Sequence, residues 1–367
     1  MISKKIIFTG GHHNSALVVA KILKKKGYGV YWFGHKHTMK REKSLSLELQ
    51  EVKKANLPFI EIKTGKFYRT YNPFHLIKIF YGFCQSFCLL LRIKPQLIVS
   101  FGGYLSYPVV LAGKLLGIDS IIHEQTSHVG LANRILAPLA KVILLTWSSS
   151  KRYFPKHKTK VIGLPLDAGL LKKEKIKPLF LEKLPVVLIT GGKQGSHIIN
   201  KTIEKKLAIF LNSFNLIHQT GGILKTNDFE RLVKIKKSLP RKLQKRYLLK
   251  KFFFKDEMTK VLKSADFVIS RSGAHIVYEL ATIGKPAILI PLPWAYNNEQ
   301  LANARILEKK GAAVIIPQKE LTSVVLWQKT NDLFKHLNEF SKKALELKKI
   351  VKKDAALQML KIIEEIV

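Results

Sequence analysis

The sequence predicts an α/β protein made of two parallel-sheet domains in tandem, facing each other across a cleft. Three observations predict it. At 367 residues the chain is longer than one hydrophobic core usually serves. Short apolar runs alternate with helical patterns, the βαβα rhythm of a parallel sheet covered on both faces. The rhythm restarts after "KVIGLPLD", between Gly163 and Lys173. The expected domains are therefore 1–165 and 166–340, with 341–367 as a C-terminal helix packing back on the first domain.

The elements follow in order. In the first half, "KIIFTG" reads as a strand, "ALVVAKILKKKG" as a helix and "GVYWFG" as a second strand. A long helical region runs from about Pro73 to Arg92, followed by "QLIVSFGG", the helix "PVVLAGKLLG", "SIIHEQ" and "KVILLTW". In the second half, "PVVLITGGKQGS" leads into a helix, and "FNLIHQTGG" and "YLLKKFFF" read as strands. Then come the helix "DEMTKVLKSA", the strand "DFVISRSG", the helix "AHIVYELATIG", and the strands "PAILIPLP" and "GAAVIIP". From about Ser323 the pattern is amphipathic helix.

The formal net charge is +39, from 64 basic and 25 acidic residues. Such an excess suits an anionic membrane surface, a phosphorylated substrate or nucleic acid. Lysine bias spread along the whole chain, as an AT-rich genome produces, gives the same number. No aromatic recognition motif accompanies the basic residues, so nucleic acid is not an expected partner. Cys84 and Cys88 are the only cysteines, too few for a disulfide framework or a zinc site. Their i, i+4 spacing in an apolar helix reads as core thiols. The N-terminus runs directly into a strand without a signal-peptide pattern, which points to the cytoplasm. No uninterrupted apolar run reaches the roughly 18 residues of a spanning helix.

In open α/β sheets ligands bind beyond the carboxyl ends of strands, so the loops there carry the chemistry. Three glycine-rich turns follow strands: Thr9-Gly10-Gly11-His12, Gly102-Gly103-Tyr104, and Gly191-Gly192-Lys193-Gln194-Gly195-Ser196. Glycine allows close backbone approach, and free N–H groups at the next helix start attract phosphate. None of the three is a dinucleotide fingerprint or a Walker A loop. His12 ends the first turn, where an imidazole of ordinary pKa near 6.5 suits proton abstraction from a hydroxyl; a helix-capping histidine is the alternative. His13 points elsewhere. His123, Glu124, Gln125 and Thr126 form a polar set after another strand, costly unless hydrogen-bonded within the protein or to a ligand. Ser272, Gly273 and Ala274 stand at a helix start, with Glu279 one and a half turns in, where a carboxylate can accept from a ribose diol. Asn298, Glu299 and Gln300 follow the next strand on the same rim.

The segments "TGGHHNSALVVA", "FGGYLSYP", "HEQTSHVGLANRILA", "TGGKQGS", "IHQTGG", "RSGAHIVYELATIGKPAILIPLP" and "NNEQLANA" occur in one order from about Ile6 to Pro317. Together they resemble the MurG family of UDP-N-acetylglucosamine transferases. The resemblance implies the GT-B fold, with two Rossmann-like domains, the UDP-sugar donor in the C-terminal one and a lipid-linked acceptor on the N-terminal one. It implies that His12 is the base for the acceptor's C4 hydroxyl, that the reaction inverts the sugar, and that neither metal nor other cofactor is needed. Carried over by motif, the donor side comprises Thr9, Gly10, Gly11, Thr126, Lys193, Gln194, Gly195, Ser272, Gly273, Ala274 and His275. It also comprises Glu279 at the ribose, Glu299 and Gln300 at the sugar, and the backbone of Lys255 at uracil. The acceptor side comprises Gly102, Gly103, Tyr104, His123, Glu124 and Gln125.

The chain departs from the family pattern at His13-Asn14-Ser15, at Thr126 and Lys193, where the family has asparagine and serine, and at Asp167, where it has arginine. These departures leave two alternatives: another lipid acceptor, such as diacylglycerol, or a catalytically inactive nucleotide-sugar-binding protein. Between Lys66 and Arg92, aromatics alternate with Lys66, Arg69, Lys78 and Arg92. Phe74, Ile77 and Phe80, with Lys78, form the expected contact with an anionic bilayer, at the cytoplasmic face of the cell membrane.

Overall fold

The computed structural model describes residues 4–37, 45–65, 73–172, 174, 176–222 and 226–367, without the side chains of 73–75, 255 and 256. Lys66, Arg69 and the side chains of Phe74 and Lys255 thus lie outside the described residues. The chain divides into two compact units, one of residues 1–167 and 352–367, the other of 168–351.

The first unit runs β1 (Lys5–Thr9), α1 (His13–Lys25), β2 (Gly29–Gly34), α2 (Leu47–Lys54), β3 (Phe59–Glu61), α3 (Pro73–Ile93), β4 (Leu97–Ser100), α4 (Ser106–Leu115), β5 (Asp119–Glu124), α5 (Leu131–Leu136), β6 (Val142–Leu145) and β7 (Thr159–Val161). Among the described residues its seven strands are parallel, in the order β3-β2-β1-β4-β5-β6-β7. Because side chains alternate across a strand, Ile6, Phe8, Val99, Ile121 and Leu144 fill one face, against Ala16, Val19 and Leu23 of α1. Ile7, Ile98, Ile122 and Ile143 fill the other, against Leu90 of α3 and Val109 and Val110 of α4. Burial on both faces is why these strands read as continuous apolar runs.

The second unit runs α6 (Ala168–Leu171), β8 (Val186–Thr190), α7 (His197–Glu204), α8 (Leu207–Ser213), β9 (Asn215–Gln219), α9 (Asp228–Ser238), α10 (Arg241–Lys245), β10 (Tyr247–Lys250), α11 (Lys255–Ser264), β11 (Phe267–Ser270), α12 (Ala274–Ile283), β12 (Ala287–Leu289), α13 (Glu299–Glu308), β13 (Ala313–Ile315), α14 (Ser323–Lys335) and α15 (Leu337–Leu347). Among the described residues its six parallel strands take the order β10-β9-β8-β11-β12-β13. One face is an aromatic core in which Phe214 meets Phe267 and Phe334 edge-on at 5.8 and 5.3 Å.

The C-terminal segment differs from the expected 341–367. Helix α15 crosses that boundary and stays with the second unit, and only 352–367 joins the first. There α16 (Ala355–Ile366) buries Met359, Leu360 and Ile363 in the core that α1 covers. Lys26 Nζ meets Glu364 Oε1 at 2.6 Å, and Lys352 Nζ donates to the Val161 carbonyl at 2.8 Å.

Helix α3 corrects the reading of the cysteines. Its inward side is Gly82, Ser86 and Leu90, spaced by four residues, and a Cβ at Gly82 would lie 2.6 Å from Thr64 Cβ. Two residues further on, about 200° around the helix, Cys84 and Cys88 are exposed rather than in the core. Counted with its polar interruptions, Leu76–Ile93 is also long and apolar enough to cross a membrane, although no uninterrupted run is.

Candidate active site

In the first unit the candidate side chains follow the carboxyl ends of its strands. Gly10 has φ +128°, and a Cβ there would lie 2.8 Å from the Gly102 carbonyl oxygen. The Gly11 N–H donates to that same oxygen at 2.9 Å, so the loops after β1 and β4 touch backbone to backbone. His12 is the N-cap of α1 and is exposed; its side chain makes no capping hydrogen bond, which removes the capping alternative. His13 does point elsewhere, with Nε2 3.1 Å from Glu51 Oε2 on α2. Tyr104 packs its ring 5.2 Å from that of His35, and burial, with the Glu48 carboxylate, pushes its hydroxyl up to about 12.

The polar set after β5 separates into scaffold and exceptions. Glu124 is buried and both its oxygens serve its own loop. Oε1 accepts from the Thr126 N–H at 3.0 Å and the Thr126 hydroxyl at 2.7 Å. Oε2 accepts from the Gly130 N–H and the Asn133 amide, each at 3.0 Å. With its lone-pair positions occupied, Glu124 holds the loop in shape. The Thr126 hydroxyl is likewise engaged, with Glu124 and the His128 carbonyl. His123 is fully buried, and its Nε2 lies 2.9 Å from the Gly163 carbonyl oxygen. A carbonyl only accepts, so Nε2 carries the proton and Nδ1 keeps a lone pair. Burial pushes this imidazole down to about 4, with the neighbouring His12 adding to the effect, so it is neutral. His123 Nδ1, Gln125 Nε2, Thr146 Oγ1 and Thr9 Oγ1 are buried without a hydrogen-bond partner among the described residues.

The second unit repeats the glycine device on its own edge. After β8, Gly192 and Gly195 take φ +83° and +85°, and a Cβ at Gly195 would lie 1.9 Å from the Thr220 carbonyl oxygen. The Gln219 amide bonds Thr190 Oγ1 at 3.0 Å and the Gly192 carbonyl at 3.1 Å, fixing the loop that carries Lys193 and Gln194. The loop ends at Ser196, the N-cap of α7, which is 6% exposed. After the adjacent strand β11, Ser272 lies in the loop before α12 and is fully buried. Neither hydroxyl has a hydrogen-bond partner among the described residues. A Cβ at Gly273 would meet nothing described within 4 Å, so the start of α12 is open to an approaching group.

The other residues expected on the donor side lie in loops and helices that follow strands of the same sheet. Glu279 Oε1 lies 3.1 Å from His275 Nε2, one helical turn away. Gln300 Oε1 accepts from the Leu292 N–H at 3.0 Å, so it shapes the loop after β12. Glu299 begins α13, next to Asn297 and Asn298 at φ 47° and 51°. Lys255 begins α11 after β10. Sequence reasoning missed Asn133, although it lies inside the quoted "GLANR"; besides holding Glu124, its amide would meet a Cβ at Gly102 at 2.8 Å. It also missed Arg271, whose guanidinium bonds the Ile290 and Pro291 carbonyls at 3.1 and 3.3 Å and Gln318 at 2.7 Å. Partners 19 to 47 residues distant leave no local signal.

Comparison with known proteins agrees with this architecture. Residues 6–145 match the glycosyltransferase family 28 N-terminal domain and 186–359 its C-terminal domain. The chain is 31% identical over 353 residues to a UDP-N-acetylglucosamine--N-acetylmuramyl-(pentapeptide) pyrophosphoryl-undecaprenol N-acetylglucosamine transferase of Clostridium botulinum (strain Langeland), covering 92% of this chain and 93% of that one. To the transferase of the same name from Clostridium perfringens (strain SM101) it is 32% identical over 351 residues, covering 92% of each. The crystal structure of Acinetobacter baumannii MurG superposes with a TM-score of 0.72 at 27% identity, covering 99% of both chains. The UDP-GlcNAc 2-epimerase of Neisseria meningitidis, at 14% identity and a TM-score of 0.69 over 98% of this chain and all of that one, shares the fold. The chain therefore has the GT-B glycosyltransferase fold and belongs to glycosyltransferase family 28, among the MurG transferases.

Proposed function

We propose that this chain is an inverting glycosyltransferase that moves N-acetylglucosamine from UDP-N-acetylglucosamine to the C4 hydroxyl of undecaprenyl-diphosphate-linked N-acetylmuramyl pentapeptide, a step of peptidoglycan synthesis. The observation that carries it is the pair of buried hydroxyls, Ser196 and Ser272, without a hydrogen-bond partner among the described residues, at helix starts that follow adjacent strands. Helix N-termini with such hydroxyls suit the diphosphate of a nucleotide sugar. In this reading the second unit carries the donor, with Glu279 at the ribose, and the first carries the acceptor.

The acceptor O4 gives its proton to His12 and attacks the anomeric carbon from the face opposite the diphosphate. The O4–C1 bond forms as the C1–O bond to diphosphate breaks, and UDP leaves with the electron pair, inverting the centre. Charge spreads over an oxocarbenium-like sugar and the departing phosphate, which N–H groups at the starts of α7 and α12 stabilise. The mechanism calls on protein groups alone. In the first unit, His123 Nδ1 and Gln125 Nε2 supply an acceptor and a donor for hydroxyl or amide groups of the acceptor.

The same reading puts the protein peripherally on the cytoplasmic face of the membrane. Ile77 and Phe80 are 63% and 67% exposed on α3, beside exposed Leu76, Lys78 and Tyr81, an apolar stripe with a basic edge. The decisive experiment measures UDP release from UDP-N-acetylglucosamine with a lipid-linked muramyl pentapeptide acceptor, with diacylglycerol as the competing acceptor. Wild type turns over the muramyl lipid, and His12→Ala loses about 100- to 10,000-fold in kcat at little change in UDP binding. Equal turnover by His12→Ala, or turnover with diacylglycerol alone, would overturn the assignment.

A further inference from the structure

One cluster beside the donor loop has no role in the mechanism above. His197, the first residue of α7, follows Ser196 directly, and its Nδ1 lies 2.7 Å from Asp228 Oδ1. The Asp228 side chain is only 6% exposed, whereas that of His197 is 44% exposed. Arg231 Nη2 also donates to Asp228 Oδ1, at 2.7 Å. The Asn200 amide and the Thr226 hydroxyl donate to Oδ2 at 2.9 and 3.1 Å. Burial pushes the Asp228 carboxyl up, and hydrogen bonds from Asn200, Arg231 and His197 outweigh it, holding it below the usual carboxylate range.

Two consequences follow. A carboxylate only accepts, so Nδ1 carries a proton and Nε2 is the nitrogen on the exposed side of the ring. Arg231 Nε is also paired with Glu204, at 2.6 Å, so one guanidinium is shared between two carboxylates. Asp228 thus fixes the ring as a carboxylate fixes a working histidine. The cluster is tied to the glycine loop as well, because the Asn200 amide also donates to the Thr220 carbonyl, 3.0 Å away, on which Gly195 rests.

We propose that His197, oriented by Asp228, is a phosphate contact of the donor site, its Nε2–H donating to a phosphoryl oxygen of a nucleoside diphosphate seated at the start of α7. The buried Ser196 hydroxyl, unpartnered among the described residues, is its neighbour at that helix start. The inference rests on the donor assignment to the second unit. The groups facing His197 are Asp228 and Arg231 of α9, with Glu204 of α7 behind Arg231. His218 of β9 bonds Asn200 and feels the Asp228 charge, and burial outweighs that charge and keeps it neutral.

The test is titration calorimetry of UDP and of uridine, at one neutral pH, on wild type, His197→Gln and His197→Arg. Glutamine keeps a donor for Asp228 but removes the ring, and arginine supplies a fixed positive charge. His197→Gln should weaken UDP about tenfold and leave uridine unchanged. His197→Arg should restore affinity. Unchanged UDP affinity in His197→Gln, or equal losses for uridine and UDP, would overturn the proposal while leaving the donor assignment standing. Failure of wild type to bind UDP at all would overturn both.

Discussion

Each unit carries a buried histidine beneath the carboxyl edge of its sheet, and the two are finished differently. His218 in the second unit is satisfied at both nitrogens, Nε2 by Asn200 Oδ1 at 3.0 Å and Nδ1 by the Tyr247 hydroxyl at 2.8 Å. His123 in the first bonds Gly163 through Nε2 and keeps Nδ1 without a partner among the described residues. The glycine interlocks differ in the same way. In the first unit the β1 loop rests on the β4 loop, through Gly10 and Gly102. In the second the β8 loop rests on β9's, through Gly195, Thr220 and Gly221, which leaves the β11 side and the start of α12 open. One parallel-sheet plan thus yields two kinds of rim. The first presents neutral ring and amide groups beside an exposed histidine, suited to hydroxyls; the second presents helix starts and hydroxyls, suited to phosphate.

The largest way to break this comparison is a methyl group at the interlock. Gly195→Ala puts a Cβ against the Thr220 carbonyl at positive φ, whereas Gly11→Ala meets nothing described within 4 Å. Gly195→Ala should lower stability by about 2 to 4 kcal/mol and UDP-dependent turnover about 100-fold. Gly11→Ala should stay within about 1 kcal/mol of wild type by thermal unfolding. Similar losses in both would show that the loss does not arise from the interlock.

Acid sharpens the comparison next. Burial pushes His123 down to about 4 and His218 to about 3, both below the value near 6.5 that an unfolded histidine takes. Below pH 6.5 the unfolded chain therefore binds more protons than the folded one. The stability these histidines contribute is full above pH 6.5 and is lost as pH falls toward 4 and 3, about 3 kcal/mol for His123 across that window. Unfolding free energies between pH 7 and 4.5, with imidazole proton shifts, measure it. A ligand that donates to Nδ1 should push His123 lower still and leave His218 unmoved. Titration of His123 near 6.5 in the folded protein would refute its burial as a neutral ring.

The smallest effect separates outer surfaces. Phe80→Asp on α3 should weaken binding to phosphatidylglycerol vesicles roughly tenfold, and Val324→Asp, 51% exposed on α14 of the second unit, should not. Equal binding by Phe80→Asp and wild type would remove α3 from the membrane contact.

Much of this was legible in the chain because its signals are local. "KIIFTG", "PVVLITGGKQGS" and "DFVISRSG" are apolar runs buried on both faces and stopped by glycine, so strand, loop and helix start follow from a few consecutive residues. The exposed position of His12 follows as well, since the residue between a glycine turn and a helix is held at the sheet's edge. The paired roles were not legible. That Glu124 is scaffold depends on Asn133, nine residues on, and on the turn that returns Gly130 to it. That Asp228 meets His197 depends on β9 lying beside β8, 31 residues away in sequence. Cys84 and Cys88 sit on an apolar helix whose two sides differ only in what covers them, and only packing decides which side faces out. The sequence alone determined the alternation of elements, the glycine loops and the types of residue at the strand ends. Tertiary structure decided which of those side chains are occupied by each other, because hydrogen-bond partners are set by strand order and register.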